Sequence, residues 1–443
     1  MTVDNPTLAL ETAKPRKSTV LAWVVCLTAG LFFFYEFIQM NMLDAISTDL
    51  MRGFGITAGK ISLLGSVFFI ANTVCLFPAG LLLDQLSARK VILWAMGLTV
   101  ACAIGFALAP TFSLALFFRL LAGTTNAFCF LSCIIIASRW FNPKQMALVL
   151  SLIITIAMVG GVMAHTPLVW LTDTLGWRNA ILIDGILGVI IWIAIWAVVK
   201  DHPKGATATE TSAHLADHSV SIWHKIKLAI MNRQNWLCGI FTSVLNLPLM
   251  VLGGLWGSLY LQQAHHLTAA QATTVSSTLF IGTIFGSPLF GALSDRMERR
   301  RMPMVAGALL SIASFCAILY VPQLNFQILF VLFLVLGFFT AAQVIGYPTV
   351  AESNAPIITG TASSITAMIV MGGPALFDPI FGSLLDKFWD HTIVNGTPLY
   401  SAAAYHKALF VFLLTLGIGL IAALLTHETY CQPVELKENH DRH

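Results

Sequence analysis

Residues 80–90 read GLLLDQLSARK, and residues 291–301 read GALSDRMERRR. In each stretch a glycine stands four residues before an aspartate, Gly80 before Asp84 and Gly291 before Asp295, and a basic cluster follows. Each copy lies where one apolar segment ends and the next begins, and the two copies are 211 residues apart. A duplicated acid–base loop between hydrophobic helices predicts two homologous membrane bundles in one chain.

The composition supports the membrane class. Of the 443 residues 57% are hydrophobic and only 10% are charged, and the mean hydropathy is +0.81. Soluble domains carry about 25% charged residues, so a soluble fold is excluded. The sequence contains no stripe of lysines and arginines with interleaved aromatic residues, so nucleic-acid binding is not indicated. The eight cysteines lack disulfide or zinc spacing, and neither HExxH nor GxSxG occurs, so we expect neither a metal centre nor an enzyme.

Twelve apolar segments are long enough to cross a bilayer, because a spanning helix needs about 20 mostly apolar residues. They lie near residues 21–46, 60–83, 91–110, 113–138, 145–168 and 178–199, and then near 235–261, 269–293, 302–321, 325–349, 357–382 and 403–426. This pattern predicts an all-α integral membrane protein with two six-helix bundles related by pseudo-two-fold symmetry. The domains are then an N-terminal segment 1–20, a bundle 21–199, a linker 200–234, a bundle 235–426 and a tail 427–443.

The basic residues of the loops predict the orientation. If the N-terminus is cytoplasmic, eighteen of the 24 lysines and arginines face the cytoplasm and five face the other side. Both termini and the linker are therefore expected in the cytoplasm, with the bundles in a bacterial inner membrane. His214 and His218 in the linker have the spacing of a helical metal site, but a flexible tether with incidental histidines is the favoured interpretation.

The paired loops resemble the motif that the major facilitator superfamily carries in loops 2–3 and 8–9. The resemblance implies gating, in which the loop aspartate stabilises one conformation through a helix end and an arginine. The alternative is that the basic residues only set the topology. Both copies depart from the usual form, with Gln85, Ser87 and Ala88 in the first and Glu298 in the second. The gating role is assigned to Gly80, Asp84, Arg89, Lys90, Gly291, Asp295, Arg296 and Arg300.

Three ionisable residues, Glu36, Arg119 and Asp184, lie well inside predicted spans. The rise of an α-helix puts all three roughly 8–9 Å below the outer edge of the hydrocarbon core. Charges in apolar surroundings must be paired. Because the three residues lie at a common depth, we expect them to form one network, and we assign proton coupling to it. Glu36 is the first candidate for the proton carrier, whereas Asp184, nearer the edge, favours a structural role. A permanent Glu36–Arg119 ion pair is the alternative.

A second motif concerns the arginine. RLLAG, residues 119–123, resembles the fourth-helix motif of the superfamily, which is associated with proton transfer or substrate anchoring. His165 precedes Pro167, and Asp378 precedes Pro379. Both lie closer to a membrane interface, and a lone polar residue beside a helix-breaking proline is more often structural than functional. We therefore expect Arg119 to act and the other two to be structural.

The first helix is unusually polar between residues 34 and 46. Tyr35, Glu36 and Gln39 share an arc of about 100°, whereas Asn41 and Asp44 point elsewhere. The resemblance implies that helices 1, 4, 7 and 10 line a central cavity, and polar residues on these helices predict one shared pocket. Substrate binding is assigned to Tyr35, Gln39, Arg119, Asn246, Trp256 and Gln343, with a membrane-interface anchor as the equal alternative for Trp256.

A buried arginine favours an anionic or zwitterionic solute, because guanidinium matches carboxylate through two parallel hydrogen bonds. Residues 157–168, AMVGGVMAHTPL, lack the Gly-Pro pair of drug/proton antiporters, which makes multidrug efflux less favoured. The resemblance thus implies a monomeric secondary transporter that moves a small polar, carboxylate-bearing solute across the lipid bilayer by proton-coupled alternating access. Protons are the coupling ion, and no other cofactor is expected.

Two alternatives stay open at this point. The first is a proton-driven exporter of a siderophore or drug on the same fold, and the second is a non-transporting membrane sensor. Residues 32–42, 129–143, 246–261 and 352–365 resemble a bacterial branch of the superfamily that includes transporters linked to polycarboxylate siderophores. The direction of solute movement separates an importer from an exporter, and a sensor would bind ligand without flux.

Overall fold

The computed structural model describes residues 20–141, 143–202, 222–321, 324–394 and 397–432. Within these ranges twelve helices are long and apolar enough to cross a membrane. The predicted twelve-helix membrane fold is therefore confirmed. His214 and His218 lie outside the described residues.

The six spans of the N-terminal half are mostly single helices. Spans 1 to 4 are Val20–Phe54, Ala58–Gln85, Ala88–Leu108 and Phe112–Trp140; span 5 combines Pro143–Met163 with Thr166–Leu175; span 6 is Trp177–Val198. A short surface helix, Ile222–Met231, precedes the C-terminal half and exposes Trp223 and Met231.

The six spans of the C-terminal half include two with irregular turns. Span 7 joins Arg233–Leu247, a π-helical segment Pro248–Trp256 and Gly257–His265; span 8 is Ala269–Arg296; span 9 is Arg301–Tyr320; span 10 joins Phe326–Thr340, a 3₁₀ turn Ala341–Ile345 and Gly346–Glu352; span 11 is Pro356–Lys387; span 12 is Ala402–Leu425. Between spans 11 and 12, strands Ile393–Val394 and Thr397–Pro398 pair antiparallel.

The two ends of the bundle differ in how the halves meet. The motif end is the one that contains the loops 86–87 and 297–300, and the opposite end contains the loops 55–57 and 388–401. Span 2 packs along span 11, and span 8 packs against span 5. The hydrogen bonds that join the halves cluster at the opposite end, where spans 1, 2 and 5 meet spans 7, 8 and 11. The structure is therefore closed at the opposite end.

Span 5 differs from the prediction of one helix over residues 145–168. The first helix ends at Met163 and the second begins at Thr166, with Pro167 in its first turn. Proline has no backbone N–H and is accepted at a helix start but not in a helix interior. The break leaves His165 between the two helices, with φ −102° and ψ −107°.

Two glycines at equivalent places allow helices to approach closely. A Cβ atom at Gly123 would overlap the carbonyl of Phe68, so span 4 lies directly on span 2. A Cβ atom at Gly337 would overlap the carbonyl of Leu279, between spans 10 and 8. Because residues four apart share a helix face, Gly123 directs Arg119 towards span 2.

Candidate functional site

Glu36 is fully buried and contacts span 3 rather than Arg119. Thr99 donates a hydrogen bond of 2.8 Å to Glu36 Oε1, and the Thr99 and Thr125 hydroxyls are 2.7 Å apart. Glu36 Oε2 is buried, and no residue in the described part of the chain forms a hydrogen bond with it. One carboxylate oxygen is therefore fixed by threonines, and the other is free to bind a proton.

Arg119 is fixed by three contacts, one with span 1 and two with span 2. Its Nε donates to the Leu64 carbonyl at 3.3 Å, its Nη1 donates to the Gln39 carbonyl at 2.6 Å, and its guanidinium lies 4.6 Å from the centre of the Phe68 ring. The remaining nitrogen, Nη2, is buried and has no hydrogen-bond partner among the described residues. A rigid guanidinium with one unpaired donor is a suitable contact for an anion, because an unpaired buried donor carries a desolvation cost that a ligand can remove.

Gln39 links Arg119 to Asp184. Its side-chain amide donates to Asp184 Oδ2 on span 6, while its backbone carbonyl accepts from Arg119. Tyr35, one turn earlier, packs on Gly188 of span 6. The network predicted from the intramembrane charges thus exists in part, with Gln39 as its bridge and with Glu36 paired to Thr99 instead.

The other three predicted pocket residues belong to the C-terminal half and have different partners. Trp256 is fully buried and its ring centre lies 5.5 Å from that of Phe381. The Gln343 carbonyl accepts from Thr242, and Asn246 is buried within span 7. The expected single pocket is therefore divided, because Tyr35 and Gln39 face span 6 inside their own half rather than the C-terminal half.

The face of span 1 that meets the C-terminal half carries residues that the sequence analysis set aside. Asn41 approaches Gly254 of span 7. Asp44 Oδ1 accepts from the Ser258 backbone N–H at 2.8 Å, and Asp44 Oδ2 accepts from the Ser258 hydroxyl. His165 Nε2 lies 3.5 Å from Asp44 Oδ2. Asp44 therefore contributes to the contact between the halves.

A second contact between the halves lies at the start of span 2. Asp386, at the end of span 11, accepts from the Thr57 hydroxyl at 2.9 Å and from the Gly59 N–H at 2.8 Å. The Tyr400 hydroxyl donates to Asp386 at 2.8 Å and accepts from the Ala58 N–H at 2.9 Å. The first N–H groups of a helix lack intrahelical partners, so residues of the C-terminal half cap a helix of the N-terminal half.

Asp378 brings a buried carboxylate of the C-terminal half to span 2. Its Oδ2 would lie 2.8 Å from a Cβ atom placed on Gly65, the neighbour of Leu64. Its Oδ1 has no hydrogen-bond partner within the described ranges. Burial without a full set of partners distinguishes Asp378 from the satisfied structural group that its neighbouring proline suggested.

At the motif end, the second loop copy forms an ion cluster within the C-terminal half. Arg300 pairs with Asp295 at 2.5 Å and with Glu352 of span 10 at 2.6 Å, and its N–H donates to Glu428 at 2.6 Å. Burial acts to lower the pKa of Arg300, but the hydrogen bonds to Glu352 and Asp295 hold that pKa above its ordinary value. The guanidinium is therefore a permanent cation that joins spans 8, 9 and 10.

The first loop copy forms a related cluster with different residues. Asp201, after span 6, accepts from the Arg89 N–H at 3.0 Å and from Arg139 of span 4 at 2.9 Å. Arg89 also donates to the Trp196 carbonyl at 2.8 Å. The side chain of Asp84 lies outside the described part of the structure.

The other gating candidates are free of crowding in this structure. Within the part of the chain that the structure describes, a Cβ atom at Gly80 or at Gly291 would have no other residue's atom within 4 Å beyond its chain neighbours and its own helix backbone. Lys90 and Arg296 are exposed. Both glycines thus leave space at the motif end, where a second helix would have to pack if this end closed.

The model of the Major Facilitator Superfamily matches residues 25–252 and 238–438. The chain belongs to this superfamily. Solved structures of the fold include a bacterial homologue of the human lysosomal transporter Spinster, with a TM-score of 0.75, 18% identity and coverage of 92% of this chain and 97% of that one. The nucleoside transporter NupG follows with a TM-score of 0.70, 14% identity and coverage of 91% and 99%.

Three curated relatives carry the names of acid transporters. The probable galactarate/D-glucarate transporter GudP of Bacillus subtilis is 23% identical over 95% of this chain and 94% of its own length. The D-galactonate transporter of Escherichia coli O6:H1 is 24% identical over 69% and 75%. The gallate transporter of Pseudomonas putida is 23% identical over 86% and 89%. Family and relatives are transporters, so the chain is an integral membrane transport protein and not an enzyme.

Proposed function

We propose that this protein is a secondary transporter that moves a small polar, carboxylate-bearing solute by proton-coupled alternating access. The observation that carries the proposal is Arg119, whose guanidinium is fixed by two carbonyls and a ring and keeps Nη2 unpaired. Guanidinium is the side chain best matched to a carboxylate. The names of the three relatives, which refer to galactarate and glucarate, galactonate and gallate, support an acid as the solute.

Alternating access is supported by the different packing of the two ends. The inter-half hydrogen bonds of spans 1, 2 and 5 belong to the closed opposite end, and Gly80 and Gly291 leave space at the motif end. In our proposal these contacts break as the motif end closes, while two rigid halves rock about a midplane site. The ion clusters around Arg300 and Asp201 would keep the helix ends of each half together during that motion.

The setting that we propose is the bacterial inner membrane, with both termini and the motif end in the cytoplasm, because the Lys/Arg excess lies on that side. We propose that the protein works as a monomer with protons as the coupling ion and without metal or organic cofactor. Glu36 would bind the proton at its unpaired Oε2, and Asp184 would complete the network through Gln39.

The first test is a thermal-shift screen of the detergent-purified protein. The compounds are D-galactonate, D-glucarate, gallate, an amino-acid set, a citrate-type siderophore and a cationic dye. A ligand at a hundredfold excess over its dissociation constant stabilises the folded state by about 2.7 kcal/mol. We expect an acid to raise the unfolding temperature. Stabilisation by the dye alone would contradict the carboxylate site and favour drug export.

Replacing Glu36 by glutamine is expected to uncouple transport from protons. Glutamine retains the oxygen that accepts from Thr99 but does not titrate, so solute binding and solute exchange should persist. Accumulation driven by an imposed proton gradient should fall to the level without a gradient. The measurement is uptake and counterflow in proteoliposomes, with the acid that stabilises the wild-type protein.

The matched control for Glu36→Gln is Asp173→Asn, the same neutralisation at an exposed position near the end of span 5. It should leave proton-driven accumulation unchanged. Equal accumulation by Glu36→Gln and by the wild-type protein would show that Glu36 is not the coupling residue.

A further inference from the structure

His165 is buried with both ring nitrogens against backbone carbonyls. Nδ1 lies 2.6 Å from the Gly161 oxygen, and Nε2 lies 2.6 Å from the Gly253 oxygen. A carbonyl oxygen only accepts hydrogen bonds, and a neutral imidazole has only one N–H. Both contacts are satisfied together only when both nitrogens carry hydrogen. The geometry therefore fits a ring that carries hydrogen on both nitrogens.

A counter-charge lies beside this ring. Asp44 Oδ2 is 3.5 Å from His165 Nε2, and neither side chain is exposed. Span 7 contributes the Gly253 carbonyl and the Ser258 hydroxyl, and span 8 contributes the Phe280 ring, whose centre is 5.1 Å from that of His165. Of these neighbours Asp44 carries the charge, and a buried cation requires such a partner.

The site is shared between the halves. His165 and Asp44 belong to spans 5 and 1, whereas Gly253 and Ser258 belong to span 7. Opening of the opposite end separates Nε2 from Gly253 and exposes it to water, while Nδ1 keeps Gly161 of its own span. Asp44 stays beside the ring in both arrangements, but the carbonyl that remains, Gly161, requires an N–H on one nitrogen only, and water can donate to the other. The second proton is required only in the closed arrangement.

We propose that His165 and Asp44 form a proton-binding site that is assembled when the opposite end closes. Proton binding is then linked to closure, so a lower pH favours the closed arrangement, because the closed state binds more protons than the open one. The inference rests on the proposed alternating access and is independent of the solute and of Glu36. It assigns a role to the break in span 5, which presents the histidine to span 7.

The test measures closure directly and without solute. Spin labels are attached at Leu108→Cys and Val321→Cys, two exposed positions at the opposite-end tips of spans 3 and 9, in a background with the native cysteines replaced. Electron–electron distances are recorded between about pH 5 and pH 8, where histidine titrates. The closed-to-open ratio should rise as the pH falls, by at most about tenfold per pH unit for one linked proton.

Three variants separate this site from other titrating groups. His165→Gln and Asp44→Asn should each remove the pH dependence. Asp49→Asn is the control, because Asp49 lies on the same span in a surface pair with Arg52 and should keep it. A wild-type distance distribution that does not change with pH, or a full pH dependence in both site variants, would overturn the proposal. Neither result bears on the acid screen, so the two proposals fail separately.

Discussion

Replacing Arg119 by lysine is expected to weaken solute binding by about a hundredfold. Lysine preserves the positive charge but has a single ammonium group. The planar guanidinium of arginine donates to the Leu64 and Gln39 carbonyls and has Nη2 left to contact the solute, and an ammonium group cannot reproduce this geometry. Loss of one partner from a buried charge-assisted contact costs about 2–5 kcal/mol, and each 1.4 kcal/mol is a factor of ten. The measurement is the concentration of acid that gives half-maximal uptake in proteoliposomes.

The control for this substitution is Arg178→Lys. Arg178 also donates to two backbone carbonyls, those of Ala107 and Ala109, and stacks on Trp177 at 4.2 Å. It lies at the opposite-end start of span 6, away from Glu36 and Asp378. We expect its replacement to alter stability and not the affinity for the acid. If both variants retain wild-type affinity, Arg119 does not bind the solute.

Much of the fold could be predicted because membrane helices must satisfy their backbone within each span. Apolar length alone located all twelve spans, and the paired loops showed the duplication. Arg119 could be selected because a buried cation within an apolar segment is costly. The close packing of its motif partner Gly123 on span 2 was not predicted and is a finding of the structure.

The arrangement of the pocket could not be predicted, because the sequence does not determine how span 1 is rotated about its own axis relative to its neighbours. Helical periodicity relates Tyr35, Glu36 and Gln39 to one another but does not say which neighbouring span their arc faces. The structure turns that arc towards spans 3 and 6, so the opposite arc, with Asn41 and Asp44, meets the C-terminal half. The prediction placed Tyr35, Glu36 and Gln39 on one arc facing a pocket shared with the C-terminal half, whereas the structure turns this arc towards spans 3 and 6 of their own half.

His165 shows a different limit. Its two nearest hydrogen-bonding partners are backbone carbonyls, and a backbone carbonyl leaves no signal in the amino-acid sequence. One of them belongs to the π-helical part of span 7, whose irregular turn is equally invisible. The proline two residues later was the available signal, because proline disfavours a helix interior, but the prediction kept one helix over residues 145–168 and missed the break.

Replacing Asp386 by alanine is expected to open the opposite end. The substitution removes the acceptor of Thr57, Gly59 and Tyr400, and it leaves the start of span 2 without the carboxylate that offsets its helix dipole. A hydrogen bond to a charged group contributes about 1.5–3 kcal/mol, so the loss of the two that join the halves, from Thr57 and Gly59, should shift the closed-to-open ratio by at least a hundredfold. Distances between labels at positions 108 and 321 measure that shift.

Asp390→Ala is the matched control, because Asp390 lies four residues further along and accepts only from Thr392 of its own loop among the described contacts. It should leave the distance distribution unchanged. Asp386→Asn should give an intermediate shift, since an amide keeps one acceptor oxygen but no charge. If Asp386→Ala stays closed, the contacts of Asp44 and His165 are sufficient for closure. The cap that Asp386 forms at the start of span 2 would then be a result of closure and would not stabilise it. A large shift at constant pH dependence would instead show that the cap and the proton site contribute independently to the same closed state.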